Sequence, residues 1–139
     1  MLRNFIAVIV GIITGMVINI ALIQLNFLVF FPVPPGTDMA DSDQFNAYIA
    51  GLPPTAFIVV LSARLSQAFV GGWIAARFGA SHPMILAMIV GTVVLIGGIM
   101  AMAMIDGPNW LIIELPLYLV VAWVAGGRVP RQLRRHLRG

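Results

Sequence analysis

The sequence predicts an all-α, polytopic membrane protein, with four transmembrane helices in a bundle and a short amphipathic helix in the outer loop. The chain has 139 residues, of which 60% are hydrophobic and only 9% are charged. Soluble domains carry roughly 25% charged residues, so this chain has too few to cover a surface that faces water. Its apolar segments are close to the roughly 20 residues that a helix needs to cross a bilayer.

The predicted spans cover residues 4–31, 55–78, 83–105 and 109–125, within a transmembrane domain of residues 1–127. The first span is longer than the signal-peptide h-region of about 7 to 15 residues, so we interpret it as a retained anchor. Small residues recur in it at four-residue spacing, as they do in the other spans, and such stripes allow helices to approach closely. Packing within one chain explains most of these stripes. A homodimer or a larger membrane complex is the alternative.

The arginines predict the orientation of these spans. Arg3 and Arg77 fall on the same side of a four-span arrangement as the basic tail of residues 128–139, whereas the loop of residues 32–54 contains no arginine. Loops in the cytoplasm carry the excess of Lys and Arg. We therefore expect a multi-pass membrane protein with both termini in the cytoplasm.

The basic tail contains five of the eight basic residues, so its positive charge exceeds the net charge of +3 of the whole chain. Arg131, Arg134, Arg135 and Arg138 follow helical spacing and predict a face that binds anionic lipid headgroups. A cytosolic partner is the alternative for this face. Nucleic acid is not a predicted partner, because no basic surface with interleaved aromatic residues occurs elsewhere in the chain.

Residues 42–52 of the outer loop are predicted to form the amphipathic helix, with Asp41 or Ser42 as its N-cap. Its apolar side chains recur at positions i, i+3, i+4 and i+7, which are Phe45, Tyr48, Ile49 and Leu52. We interpret this helix as a connector that lies on the outer leaflet or across the mouth of the bundle. A lid over a ligand cavity is the alternative.

No cofactor or metal is predicted. The chain has no cysteine and two histidines, and these do not form a metal-ligand pattern. Asp38, Asp41 and Asp43 lack the glycine and the final glutamate of an EF-hand loop. Helix capping is the simpler explanation of these aspartates.

Two charged residues, Arg64 and Glu114, interrupt the apolar spans. A lone charge at bilayer depth costs about 2.5 to 3.5 kcal/mol on insertion scales, so it normally has a partner. Counting 1.5 Å per residue puts Asn19, Arg64 and Glu114 at about 20, 16 and 20 Å from the cytoplasmic face of the hydrocarbon core. We therefore predict a bidentate Arg64–Glu114 pair with Asn19 nearby. Gln67 and Tyr118 lie on the same helix faces as the pair.

The preferred interpretation of this cluster is a polar clamp in a structural or accessory membrane protein that is not an enzyme. The alternative is a small transporter or channel, with Glu114 as a titratable coupling residue. Pro116 has no N–H and leaves the Ile112 carbonyl without its helical donor, which predicts a helix break beside Glu114. One glutamate without a second carboxylate or a nearby histidine is too little for catalysis.

The chain resembles a group of small bacterial four-helix inner-membrane proteins to which no function is assigned. The resemblance rests on the four spans, on the outer-loop sequence Pro-Pro-Gly-Thr-Asp, and on the residues Glu114, Tyr118, Ala122-Trp123 and Gly126-Gly127. It implies a location and a shape, without an activity. It also implies an acidic residue at the position of Glu114 and often a histidine at that of Arg64, so a role for a titratable imidazole is in doubt here.

Small multidrug resistance transporters also have four spans and a similar size. Their essential glutamate lies in the first span, where this chain has the amides Asn19, Gln24 and Asn26. This difference argues against membership of that family. Transport therefore remains an analogy of architecture.

Overall fold

The structure, a computed structural model, describes residues 1–129 and is all-α and 81% helical, with no strand in that range. The elements in chain order are α1 (Leu2–Leu25) with a π-helical turn (Asn26–Phe30), α2 (Ser42–Ala50), α3 (Pro54–Phe78), α4 (Pro83–Met104), a 3₁₀ segment (Asn109–Ile113) and α5 (Glu114–Gly127). The tail arginines Arg131, Arg134, Arg135 and Arg138 lie outside the described residues, so their predicted role in lipid binding stays a prediction.

Four helices of the described region are long and apolar enough to cross a membrane, which indicates a multi-pass membrane protein. They are Leu2–Phe30, Pro54–Phe78, Pro83–Met104 and Asn109–Gly127. Large apolar side chains such as Phe5, Ile13 and Ile96 are more than half exposed on their outer faces. Continuous apolar faces of this kind are suited to lipid and unsuited to water. The all-α prediction and the long apolar helices are confirmed.

Helix α3 is the central element, because it packs against α1, α4 and α5. Helices α1 and α4 run antiparallel to α3, whereas α5 runs parallel to it, since Arg64 and Gly72 of α3 meet Glu114 and Ala125 of α5. Gly72 of α3, for example, lies against Ala87 near the start of α4 and Ala125 near the end of α5. Small residues at these crossings let the helix backbones approach closely, which is how helices associate in lipid.

The tightest crossing lies between α1 and α3. A Cβ atom on Gly15 would lie 2.6 Å from the Gln67 carbonyl oxygen, and a Cβ atom on Gly71 would lie 2.7 Å from the Gly11 carbonyl oxygen. Backbone therefore packs on backbone, with no room for a methyl group. The small-residue stripe that was predicted in the first span is thus used inside the chain.

The structure has two ends, the N-terminal end and the α2 end. At the N-terminal end, the side chain of Asn4 accepts hydrogen bonds from the N–H groups of Ala80 (2.6 Å) and Ser81 (3.2 Å) in the turn between α3 and α4. The α2 end carries α2 and the turn between α4 and the 3₁₀ segment. There the Asp106 N–H donates to the Asn46 side-chain oxygen of α2 (3.3 Å).

We predict that Gly15→Ala destabilises the protein by about 1–3 kcal/mol, because the new methyl group forces α1 away from the α3 backbone. Gly97→Ala on α4 is the matched control, since no atom lies within 4 Å of its Cβ position. That control changes the free energy of unfolding by no more than about 1 kcal/mol. Both values are measured by reversible unfolding in mixed micelles, followed by circular dichroism. Equal effects of the two substitutions would contradict the close crossing.

Candidate functional site

An ion pair joins α3 to α5 in the interior. The Arg64 Nη1 donates to the Glu114 Oε1, so the predicted pairing of these two residues is present. The Glu114 side chain is fully buried, while 16% of the Arg64 side chain is exposed. The contact uses one oxygen and one nitrogen, whereas the sequence predicted a bidentate fork. The second oxygen, Glu114 Oε2, is buried and has no hydrogen-bond partner within residues 1–129.

Local structure explains why the carboxylate lies at this point. Glu114 is the first residue of α5, immediately after the 3₁₀ segment Asn109–Ile113. The N-terminus of a helix carries a partial positive charge, which favours a carboxylate in the first turn. Glu114 therefore interacts with two positive groups, the dipole of its own helix and the guanidinium group of Arg64.

Pro116 has a milder effect than the sequence suggested. Because α5 begins at Glu114, the proline occupies the first helical turn, where backbone N–H groups have no partner in the helix and a missing one costs little. The Glu114 N–H donates to the carbonyls of Leu111 and Ile112, so the Ile112 carbonyl has a donor. The predicted break inside the helix is replaced by a change from 3₁₀ to α-helix.

Asn19 lies in a second polar contact, which is separate from the ion pair. Its Nδ2 donates to the Gln67 Oε1 at 2.8 Å and so links α1 to α3. Within the described region no hydrogen bond joins this amide pair to Arg64 or Glu114. The sequence thus identified the polar side chains, and the structure divides them into an amide pair and an ion pair.

Tyr118 lies one helical turn beyond Glu114 and is completely buried. Its ring packs on Gly98 of α4, where a Cβ atom would lie 2.7 Å from the tyrosine Cε2. Its hydroxyl oxygen lies close enough to Glu114 and Arg64 to interact with both, although it makes no hydrogen bond of ordinary geometry among residues 1–129. Tyr118 therefore contributes to the contact between α4 and α5 mainly through its ring.

A cavity of about 420 Å³ lies beside the ion pair, toward the α2 end. Arg64 is part of its wall, and residues from α1, α2, α3, α4 and the 3₁₀ segment complete it. No pattern in the sequence signals this cavity directly. It arises where the helices separate below α2, and such separation depends on tertiary packing.

The π-helical turn at the end of α1 is a further feature that the sequence did not predict. Asn26, its first residue, is fully buried, and its Nδ2 donates to the Ala56 carbonyl of α3 at 3.4 Å. Turns of this kind often lie at functional sites. Here the turn carries Phe27, which lines the cavity. A polar Asn26 within an apolar run was the available signal.

Helix α2 packs over this end of the molecule. The Tyr48 hydroxyl donates to the Phe31 carbonyl at 2.6 Å, and its ring meets that of Phe27 edge to face at 5.7 Å between centroids. Ile49 is buried against Phe57 and Leu111. These contacts favour a position across the mouth of the cavity over a position flat on a leaflet.

Asp41 is the N-cap of α2 and is one of the two residues that the sequence predicted for this position. Its carboxylate accepts hydrogen bonds from the N–H groups of Asp43 (2.9 Å) and Gln44 (3.1 Å). The hydrogen bonds from the Gln44 and Asp43 N–H groups hold the pKa of Asp41 below its ordinary value of 3.8. Helix capping therefore explains why an aspartate lies at this position.

Within residues 1–129, no group of three or more His, Cys, Asp or Glu side chains is placed to hold a metal ion. Comparison of the chain with protein-family models, curated proteins and solved structures gave no match. The ion pair and the cavity are therefore the features from which a function is proposed.

We predict that the N-cap makes α2 sensitive to acid. Because the folded pKa of Asp41 lies below its unfolded value, the cap stabilises α2 fully above about pH 4, and the effect disappears as the pH falls through the folded pKa. Hydrogen exchange measures the strength of the cap through the protection factors of the Asp43 and Gln44 amides. Asp41→Ala should show at neutral pH the low protection factors that the wild type reaches only in acid.

Asp41→Asn is the control for that measurement, because asparagine also caps helices but carries no charge. Its protection of the two amides should remain constant from neutral to acidic pH. If Asp41→Asn keeps the pH dependence of the wild type, another group must cause it.

Proposed function

We propose that this chain is a multi-pass protein of the bacterial inner membrane with a structural or accessory role and no enzymatic activity. In this proposal Arg64 and Glu114 form an internal polar clamp, which fixes the register of α3 and α5 within a four-helix transmembrane bundle. The observation that supports it is the contact between these two side chains, one of them fully buried.

The energetics of buried ion pairs agree with this role. A buried pair contributes little net stability, because desolvation offsets most of the attraction, whereas loss of one partner costs about 3–5 kcal/mol. An alternative helix register that separated Arg64 from Glu114 would leave two unpaired charges in an apolar interior. The pair thus penalises incorrect arrangements more than it stabilises the correct one.

The distribution of charge supports an orientation with both termini in the cytoplasm. Basic side chains lie at the N-terminal end, at Arg3, Arg77 and Arg128. Acidic side chains lie at the α2 end, at Asp38, Asp41, Asp43 and Asp106. The excess of arginine marks the cytoplasmic side of bacterial inner-membrane proteins.

An accessory or self-associating role is supported by α1. This helix packs chiefly on α3 and leaves a broad apolar face, with Phe5, Ile9 and Ile13 exposed. Lipid covers such a face in a monomer. A second copy or another membrane protein would cover it in a complex.

Transport is the second candidate function, and the cavity that reaches Arg64 favours it. Coupling through Glu114 would require its carboxylate to exchange protons with that cavity. The Glu114 side chain has no exposed surface and lies behind the guanidinium group. For this reason we prefer the clamp.

We predict that Glu114→Gln lowers the free energy of unfolding by about 3–5 kcal/mol, because it leaves Arg64 buried without its counter-charge. The double variant Arg64→Met with Glu114→Gln should recover at least half of that loss. Denaturant unfolding in mixed micelles gives both values.

Arg77→Met serves as the control for this cycle, since Arg77 lies in the last turn of α3 and has access to the membrane surface. Arg77→Met should change the free energy of unfolding by less than about 1 kcal/mol. Additive losses in the double variant would mean that Arg64 and Glu114 act separately, and the clamp would be rejected.

The orientation can be tested by cysteine labelling, because the chain has no cysteine of its own. Ala40→Cys lies at the α2 end and Gly127→Cys lies at the other end, and both positions are exposed. In spheroplasts a membrane-impermeant maleimide should label the first variant at once and the second only after lysis. The reverse pattern would invert the proposed topology.

A further inference from the structure

The cavity below α2 has the properties of a site for a small apolar molecule. Its volume of about 420 Å³ lies within the range of about 300–1,000 Å³ that is usual for such sites. Aromatic and aliphatic side chains form most of the wall, among them Phe27, Phe57, Met102 and Leu111. The occupant must therefore be largely hydrocarbon.

The wall also contains two polar side chains, Arg64 and Asn109. Arg64 lies in the middle of α3, whereas Asn109 begins the 3₁₀ segment beside the α2 end. No carboxylate side chain belongs to the wall. A polar group at the inner end of a bound molecule would therefore meet the guanidinium group.

The guanidinium group of Arg64 has donors to spare. It carries five N–H groups, and in the described part of the chain its hydrogen bond is the one from Nη1 to Glu114. Donors without partners in an apolar interior are costly, so an acceptor in the cavity would be stabilised. The site accordingly selects a molecule with a hydrogen-bond acceptor.

The charge of the site determines which acceptor fits. Glu114 already neutralises Arg64, so the pair as a whole has no net charge. An anionic ligand would bring an uncompensated charge into a cavity of low dielectric, whereas a neutral carbonyl group would accept the hydrogen bond without one. A cationic ligand would face the guanidinium charge directly.

We propose that this cavity binds an uncharged, lipid-soluble molecule with a carbonyl group, and that the carbonyl oxygen accepts a hydrogen bond from Arg64. The proposal rests on the neutral Arg64–Glu114 pair of the proposed function. To that function the proposal adds a ligand that binds in the cavity. A second cavity of about 270 Å³ lies next to the first, shares Ile49, Phe57, Gly107 and Pro108 with it and extends to Trp110.

The test uses the full chain in phosphatidylcholine vesicles and undecan-2-one that carries a photoreactive diazirine on its alkyl chain. Covalent labelling is mapped by mass spectrometry. Competitors of matched length are undecan-2-one, undecane and decanesulfonate, each of which is titrated over the same range of mole fraction in the bilayer. The ketone should compete at about a tenfold lower mole fraction than either of the others, as expected for one hydrogen bond to a charged donor.

Two outcomes of the competition would overturn the proposal. Equal competition by ketone and alkane would mean that Arg64 does not recognise the ligand. Stronger competition by decanesulfonate would mean that the site accepts anions, against the neutrality of the pair.

Val60→Phe tests the location, because Val60 lines the cavity. Ile58→Phe on the same helix is the matched control, since Ile58 is 54% exposed and lies outside the cavity wall. Labelling should fall by at least about tenfold in the first variant and stay unchanged in the second. Equal labelling in both would place the probe in the lipid around the protein and reject the site.

Glu114→Gln tests the charge argument, because it leaves the cavity beside an uncompensated guanidinium group. The preference should then switch from the ketone to decanesulfonate. An unchanged preference would mean that the neutrality of the Arg64–Glu114 pair does not select the ligand. If Glu114→Gln does not fold, the Val60→Phe variant and the competition experiment test the proposal. Unfolding measurements test the clamp separately, so a failure of the ligand proposal is distinguished from a failure of the clamp on which it rests.

Discussion

The contact between Arg64 and Glu114 joins two helices in the apolar interior of the structure, where the Glu114 side chain is fully buried. Lipid tails are as apolar as leucine, so hydrophobic burial does not drive helices together within a bilayer. Close packing and polar contacts must do so. Helix α3 carries both kinds of contact, because it holds Arg64 and Gln67 together with the glycines at the crossing with α1.

The asymmetry of the ion pair gives the cavity its chemistry. Glu114 is enclosed at the first turn of α5 and has the support of the helix dipole, while Arg64 extends toward the α2 end and forms part of the cavity wall. Charge is thus balanced inside the protein, and hydrogen-bond donors remain on the cavity side. Arg64 and Glu114 can therefore act both as a structural pair and as a selective binding surface.

The α2 end differs from the N-terminal end in its local geometry. There α1 changes to a π-helical turn and the fourth long helix begins as a 3₁₀ segment, so two of the four long helices depart from α-helix at the same end. These departures move Phe27 and Leu111 into the wall of the cavity. Helix α2 covers the space through Tyr48 and Ile49, held by its own N-cap at Asp41.

The sequence by itself determined the helices and the need for a partner to Arg64. Helix length and apolar composition are local properties, and a charge at bilayer depth requires compensation wherever the chain folds. The N-cap of α2 was also predictable to within one residue. By contrast, tertiary structure alone decided that the ion pair has a single contact, that Asn19 binds Gln67, and that a cavity opens below α2. These features depend on distances between helices, and those distances are set by backbone contacts of glycines with residues far away in the chain.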